Sequence, residues 1–134
     1  MTQREIRWVS RLVIDAVQAE MLLIHGGMPG LRDENALESA LVRPRQRLAY
    51  EVDADLAAPA AAYGYGLARN HPYHDGNKRV AFVVMAVFLG LNGLEFTASE
   101  ADVVTTMVAL ASGEFEEEAL AAWIRSQTMK RNRG

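Results

Sequence analysis

Nine consecutive residues, His71-Pro72-Tyr73-His74-Asp75-Gly76-Asn77-Lys78-Arg79, gather an imidazole, a carboxylate, a turn glycine, an amide and two cations. Gly76 lets the backbone turn sharply and approach a ligand with no Cβ in the way. The helix expected after it would offer unpaired N–H groups and the positive end of its dipole, with donors and charge from Asn77, Lys78 and Arg79. Such a loop receives an anion such as a phosphate well. Asp75 is out of place in a simple anion site, but fits if it holds a divalent cation bridging phosphate oxygens, since Mg²⁺ takes only one or two carboxylates. His71 supplies an imidazole, the side chain most often used to take a proton from an attacking hydroxyl. The loop therefore reads as a nucleotide-dependent transferase site with phosphates, a metal and a base. Two other readings stay open on chemistry alone. One is a plain Asp-Gly turn with a capping asparagine and surface charges; the other is a metal site from His71, His74 and Asp75. Neither GxxxxGK[ST] nor GxGxxG occurs, so the standard nucleotide folds are not indicated.

The elements that must position this loop are helical. Leu12, Val13, Ala16, Val17, Ala19, Leu22 and Leu23 recur at three- and four-residue spacing between Ser10 and His25. Gly26-Gly27-Met28-Pro29-Gly30 ends that helix in a loop. Asp33 caps a short second helix carrying Ala36, Leu37, Ala40 and Leu41, expected to stop at Arg43 before Pro44. Asp55 caps an alanine-rich third helix running to about Asn70, with Pro59 in its first turn. His71 precedes a proline and leaves the helical region. The fourth helix, from Asn77 to Asn92-Gly93, is apolar on every side past its first turn and is expected to be central. Ser99 with Asp102 starts a fifth helix, and Glu114 to about Thr128 forms the last. Only Leu94-Glu95-Phe96-Thr97 reads extended. The expectation is one all-α domain over residues 1–134, a bundle of about six helices around a central apolar helix.

Composition agrees with a globular chain. Of 134 residues, 50% are hydrophobic and 23% charged, and cysteine is absent, which excludes disulfides and thiolate metal sites. A net charge of −3 argues against direct nucleic-acid binding. No secretion signal is present and the longest apolar run is far short of the ~20 residues that span a bilayer, so a cytoplasmic protein without membrane contact is expected. Lys130, Arg131 and Arg133 make a basic tail over about 129–134, expected to fray. Trp8 and Trp123 are expected in helix packing rather than in a ligand site. His25 is explained by its place at the end of the first helix.

The segment from His71 to Arg79 resembles the signature of the Fic/Doc family: histidine, proline, an aromatic, two variable residues, glycine or alanine, asparagine, then glycine or lysine and arginine. The resemblance extends to His25–Asp33, Ala40-Leu41, Pro44, Ala49-Tyr50, Arg69-Asn70 and Phe88–Gly93, roughly residues 8 to 112. It implies His71 as general base toward the acceptor hydroxyl and Asp75 as the Mg²⁺ ligand. It implies Asn77, Lys78 and Arg79 as phosphate binders beside Gly76, with Arg69 a helper in the site. His25 gains a weak place as well, because the glycine-rich loop beside it resembles the family's flap over the target.

In the adenylyl-transferring branch a glycine follows the asparagine. Here Lys78 stands there, as in the Doc (death-on-curing) branch of toxins from toxin–antitoxin pairs. The resemblance thus implies transfer of the terminal phosphate of ATP to a protein hydroxyl, a threonine of elongation factor Tu, halting translation. A long cationic side chain cannot sit where a glycine admits phosphates, but it can pair with them elsewhere. Pro72 and Gly76 follow the adenylyl-transferring style, and His74 adds a titratable group at a variable position. Adenylyl transfer on the same fold, and a catalytically silent binding module, are the alternatives. The family's self-inhibiting motif, Ser/Thr-x-x-x-Glu-Gly/Asn, is missing: Ser112 to Glu116 is followed by Glu117. Restraint is then expected from a cognate antitoxin acting in trans, as a helix laid in a groove.

Overall fold

A computed structural model describes residues 5–50 and 55–131. The elements run α1 (Arg11–His25), α2 (Glu34–Tyr50), α3 (Ala57–Asn70), α4 (Asn77–Leu91), β1 (Leu94–Phe96), α5 (Glu100–Ser112), α6 (Glu117–Ser126) and β2 (Thr128–Lys130). Three of the helix starts are closed by the side chains the sequence offers. Ser10 Oγ accepts from Val13 N–H (3.3 Å), Asp33 Oδ1 from Ala36 N–H (3.1 Å) and Ser99 Oγ from Asp102 N–H (3.2 Å).

The bundle is all-α, and α4 is central, sharing the centre with α3. Almost every α3 residue from Ala57 to Ala68 is buried, and the helix touches α2, α4, α5 and α6. Small residues make that possible: a Cβ on Gly66 would lie 3.1 Å from Ala40 Cβ, so α2 and α3 meet nearly backbone to backbone. Helix α4 buries Val80, Val84, Met85, Phe88 and Leu89. Trp8 stacks on Phe88 with centroids 5.6 Å apart, and Trp123 meets Phe96 edge-on at 5.2 Å, the packing roles expected of both.

Several expectations are corrected. Helix α2 does not stop before Pro44 but runs through it to Tyr50, with Pro44 buried. The tertiary contact with α3 outweighs the lost N–H bond. Helix α1 buries Ile14 and Gln18, while Leu12 (80% exposed) and Leu23 (87%) face outward. Apolar residues cover most of its circumference, so periodicity alone does not choose the buried face. Helix α6 begins at Glu117 rather than Glu114, because Gly113 turns left-handed and the Glu114 and Phe115 N–H groups bond the Ala109 carbonyl. The start of the basic tail is ordered: Thr128–Lys130 pairs antiparallel with β1, Leu94 opposite Lys130. Arg133 lies outside the described residues.

Both described ends of the chain converge on the C-terminal end of α4. Asn92 exchanges hydrogen bonds of 2.9 Å with the Arg7 backbone, and Arg131 N–H donates to the Gly93 carbonyl at 3.0 Å. No helix among the described residues is long and apolar enough to cross a membrane.

Candidate active site

The loop from His71 to Gly76 joins the two central helices, so its ends are anchored in the buried centre of the bundle. Its interior is tied by Asn77. The Asn77 amide accepts from Tyr73 N–H (3.0 Å) and donates to the Tyr73 carbonyl (2.9 Å), closing the turn upon itself. Tyr73 is buried, and its hydroxyl donates to Asp15 Oδ1 on α1 at 2.7 Å. Burial, then the Asp15 hydrogen bond, pushes the Tyr73 phenol well above its ordinary range, so it stays a donor at any physiological pH.

A second segment braces the loop from outside. His74 N–H donates to the Gly30 carbonyl (3.2 Å), and Leu31 pairs with Tyr73 in an isolated antiparallel bridge. Met28 N–H donates to Asp75 Oδ2 at 2.6 Å. Gly27 allows that approach: at φ +123°, a Cβ there would stand 3.1 Å from Asp75 Cβ.

Asp75, Gly76, Asn77, Lys78 and Arg79 together form the polar end of a cavity of about 640 Å³ between α1, α4 and α5. Gly76 enters α4 at φ 82°, and the first N–H to find a helical acceptor is that of Val80, on the Gly76 carbonyl at 2.9 Å. The three N–H groups before it, with Lys78 and Arg79 exposed beside them, make a cationic rim. Met21, Phe82, Val103 and Met107 supply apolar lining, and His25 and Glu100 also reach the cavity. A polar end that favours anions and an apolar lining suit a ligand with both characters, as a nucleotide has.

His71 and Arg69 stand apart from the cavity lining. His71 is exposed at the loop's start, in a left-handed conformation (φ 49°, ψ 56°). Arg69 turns to the Tyr65 ring, 5.3 Å from its centroid, and packs near Gly113 at the end of α5. The Asn77 side chain is engaged by Tyr73 through both its amide oxygen and its amide nitrogen, and its role at the loop is first to close the turn. Arg32, Asp15 and Glu100, none of which the local sequence pattern marks, join the loop or the cavity through contacts remote in the chain.

The site can be tested for a divalent cation by its donor set. Among the described residues no three His, Asp or Glu side chains converge to hold a metal ion, which removes the His71–His74–Asp75 arrangement. Asp75 offers one oxygen to Met28, and Oδ1 has no hydrogen bond among the described residues. A single carboxylate beside a phosphate-receiving helix end fits a Mg²⁺ ion that draws its other ligands from phosphate and water.

This fold and this loop belong to a known group. A model of the Fic/DOC family matches residues 1–89, and the chain belongs to that family. Its place within the family follows from two relatives. It is 34% identical over 101 residues to "Protein kinase doc" of Escherichia phage P1, covering 75% of this chain and 79% of the relative. It is 44% identical over 75 residues to "Toxin Doc" of Mycolicibacterium smegmatis, covering 54% of this chain and 57% of the relative. The chain is a member of the Doc branch.

Proposed function

We propose that this protein is a Doc-like toxin that moves the terminal phosphate of ATP to a hydroxyl of a protein. The observation that carries the reading is the cavity's polar end, where Asp75, Lys78, Arg79 and the open end of α4 share one wall. Phosphoryl transfer is largely positioning and neutralisation of charge, and this wall supplies both. The first-turn N–H groups of α4, with Lys78 and Arg79, hold the phosphates, while Asp75 holds Mg²⁺. The cation, when bound, supplies further neutralisation of the phosphate oxygens. His71, exposed outside the cavity lining, meets a protein hydroxyl arriving from solvent and takes its proton. By resemblance the acceptor is a threonine of elongation factor Tu, the consequence is arrest of translation in the cytoplasm, and a cognate antitoxin restrains the enzyme in trans.

Adenylyl transfer is the second reading, favoured by one feature: a Cβ on Gly76 would meet nothing within 4 Å, so the entrance to α4 is roomy. Incubation with elongation factor Tu, Mg²⁺ and ATP labelled at either the α or the γ phosphate separates the two. Label is expected on the protein only from the γ position, and His71→Asn is expected to abolish it. Retention of α label alone overturns the kinase reading, and labelling by neither, with His71→Asn no less growth-arresting than wild type, overturns catalysis.

A further inference from the structure

We propose that Arg32 is a positioning residue that fixes His71 through the backbone of the α3 terminus. The inference rests on the reading of His71 as the base.

Helix α3 ends at Asn70, and its last carbonyls have no intrahelical donors. A left-handed residue after a helix usually closes the end with its own N–H and that of the next residue. Here the left-handed residue is His71 and the next is Pro72, which has no N–H. Proline thus removes the second of these bonds, and His71 N–H makes no capping hydrogen bond to the end of α3. Arg32 takes their place: Nη2 donates to the Asn70 carbonyl (2.9 Å) and Nε to the His71 carbonyl (2.7 Å). The same segment continues the pattern, with Arg32 and Asp33 N–H donating to the Pro72 carbonyl at 2.7 and 3.0 Å. Three consecutive carbonyls are thus held by Arg32, 39 positions away from the base, and its neighbour Asp33.

His71 needs that hold. It is the only non-glycine with positive φ among the described residues. Left-handed backbone is costly for such a residue, and a following proline favours extended backbone instead. The His71 ring makes no hydrogen bond among the described residues, so no polar partner orients it and the backbone conformation sets the directions its rotamers can take. Arginine is the fitting residue because its planar fork reaches two carbonyls at once, which a lysine ammonium does not do with the same geometry. The fold has a separate anchor at this point, since Asn70 Nδ2 donates to the Ala36 carbonyl at 3.2 Å. Loss of the Arg32 side chain is therefore expected to release His71 without unfolding α3.

The test uses Arg32→Lys and Arg32→Met, with Arg32→Ala for chemical rescue, in the full chain. His71 is read by its backbone ¹³C shifts and amide coupling, and γ-phosphate transfer to elongation factor Tu by kcat and KM. In both variants His71 is expected to relax to extended backbone. The kcat is expected to fall about ten- to hundredfold, the scale of a misplaced catalytic group, with KM for ATP and the melting temperature nearly unchanged. Methylguanidinium is expected to restore part of kcat in Arg32→Ala and none in His71→Asn. A left-handed His71 in both variants, or loss of kcat only in step with melting temperature, overturns the proposal. If the wild type transfers no phosphate, the functional reading fails on its own, and the His71 signals still decide whether Arg32 holds the backbone.

Discussion

Asp15 and Tyr73 link α1 to the signature loop by a hydrogen bond whose donor is buried and whose acceptor is half-exposed. Tyr73→Phe leaves the ring packed and removes only the hydroxyl, and Asp15 regains water as partner. The variant is expected to lose about 1 kcal/mol, the net worth of such a bond, measured by denaturant unfolding; an unchanged midpoint would show that the link adds nothing. Residue by residue, the site was legible where chemistry is local. Asp75, Lys78 and Arg79 follow from their neighbours on the loop and do share a cavity. Arg69 and Asn77 are instructive in the other direction. Both are close to the loop in sequence, yet one guanidinium is turned to Tyr65 and one amide to Tyr73. Adjacency in the chain does not say which way a side chain points, and no local pattern reveals that Arg32 reaches the α3 terminus.

At the scale of elements, helix caps and glycine stops were readable because they act within a single turn. The continuation of α2 through Pro44 and the pairing of β1 with β2 were not, because each depends on a partner distant in sequence. The same long-range contact makes Gly66 sensitive. Alanine there gains at most about 1 kcal/mol of helix propensity. It also brings a Cβ 3.2 Å from Ala40 Cα, and the obstacle is backbone that only a shift of α2 can relieve. Overpacking of about 1–3 kcal/mol is the larger effect. Gly66→Ala is therefore expected to lower the unfolding midpoint; a rise would mean that α2 yields freely at this point.

For the whole molecule, stability is expected to decline in acid by an identifiable route. Asp55, at the start of α3, is held below the usual carboxylate range first by the Arg125 side chain on α6 and also by the N–H groups of Ala57 and Ala58. Arg125 Nη2 donates to Asp55 Oδ1 at 3.1 Å. Glu34 is lowered in the same way by Arg11. A carboxyl whose folded pKa is depressed stabilises the fold above its unfolded value of about 4, and that contribution is lost as pH falls through the folded value. Melting temperature should therefore drop below about pH 4, with a shallower drop in Asp55→Asn; equal slopes would exclude this pair as a source. The all-helical class and the single bundle were legible because 3.6-residue periodicity and caps recur along the chain. The sharing of the centre between α3 and α4 was not, since it arises from how closely alanines and glycines let neighbours approach. The molecule is also polar in its layout. The cavity lies at the N-terminal end of α4, while Arg7 and Arg131 are stitched to its C-terminal end. A helix of 15 residues separates them by about 22 Å. A fluorophore attached at Arg7 or Arg131 would therefore stand at the end of α4 away from the chemistry and leave the signature loop in its native setting.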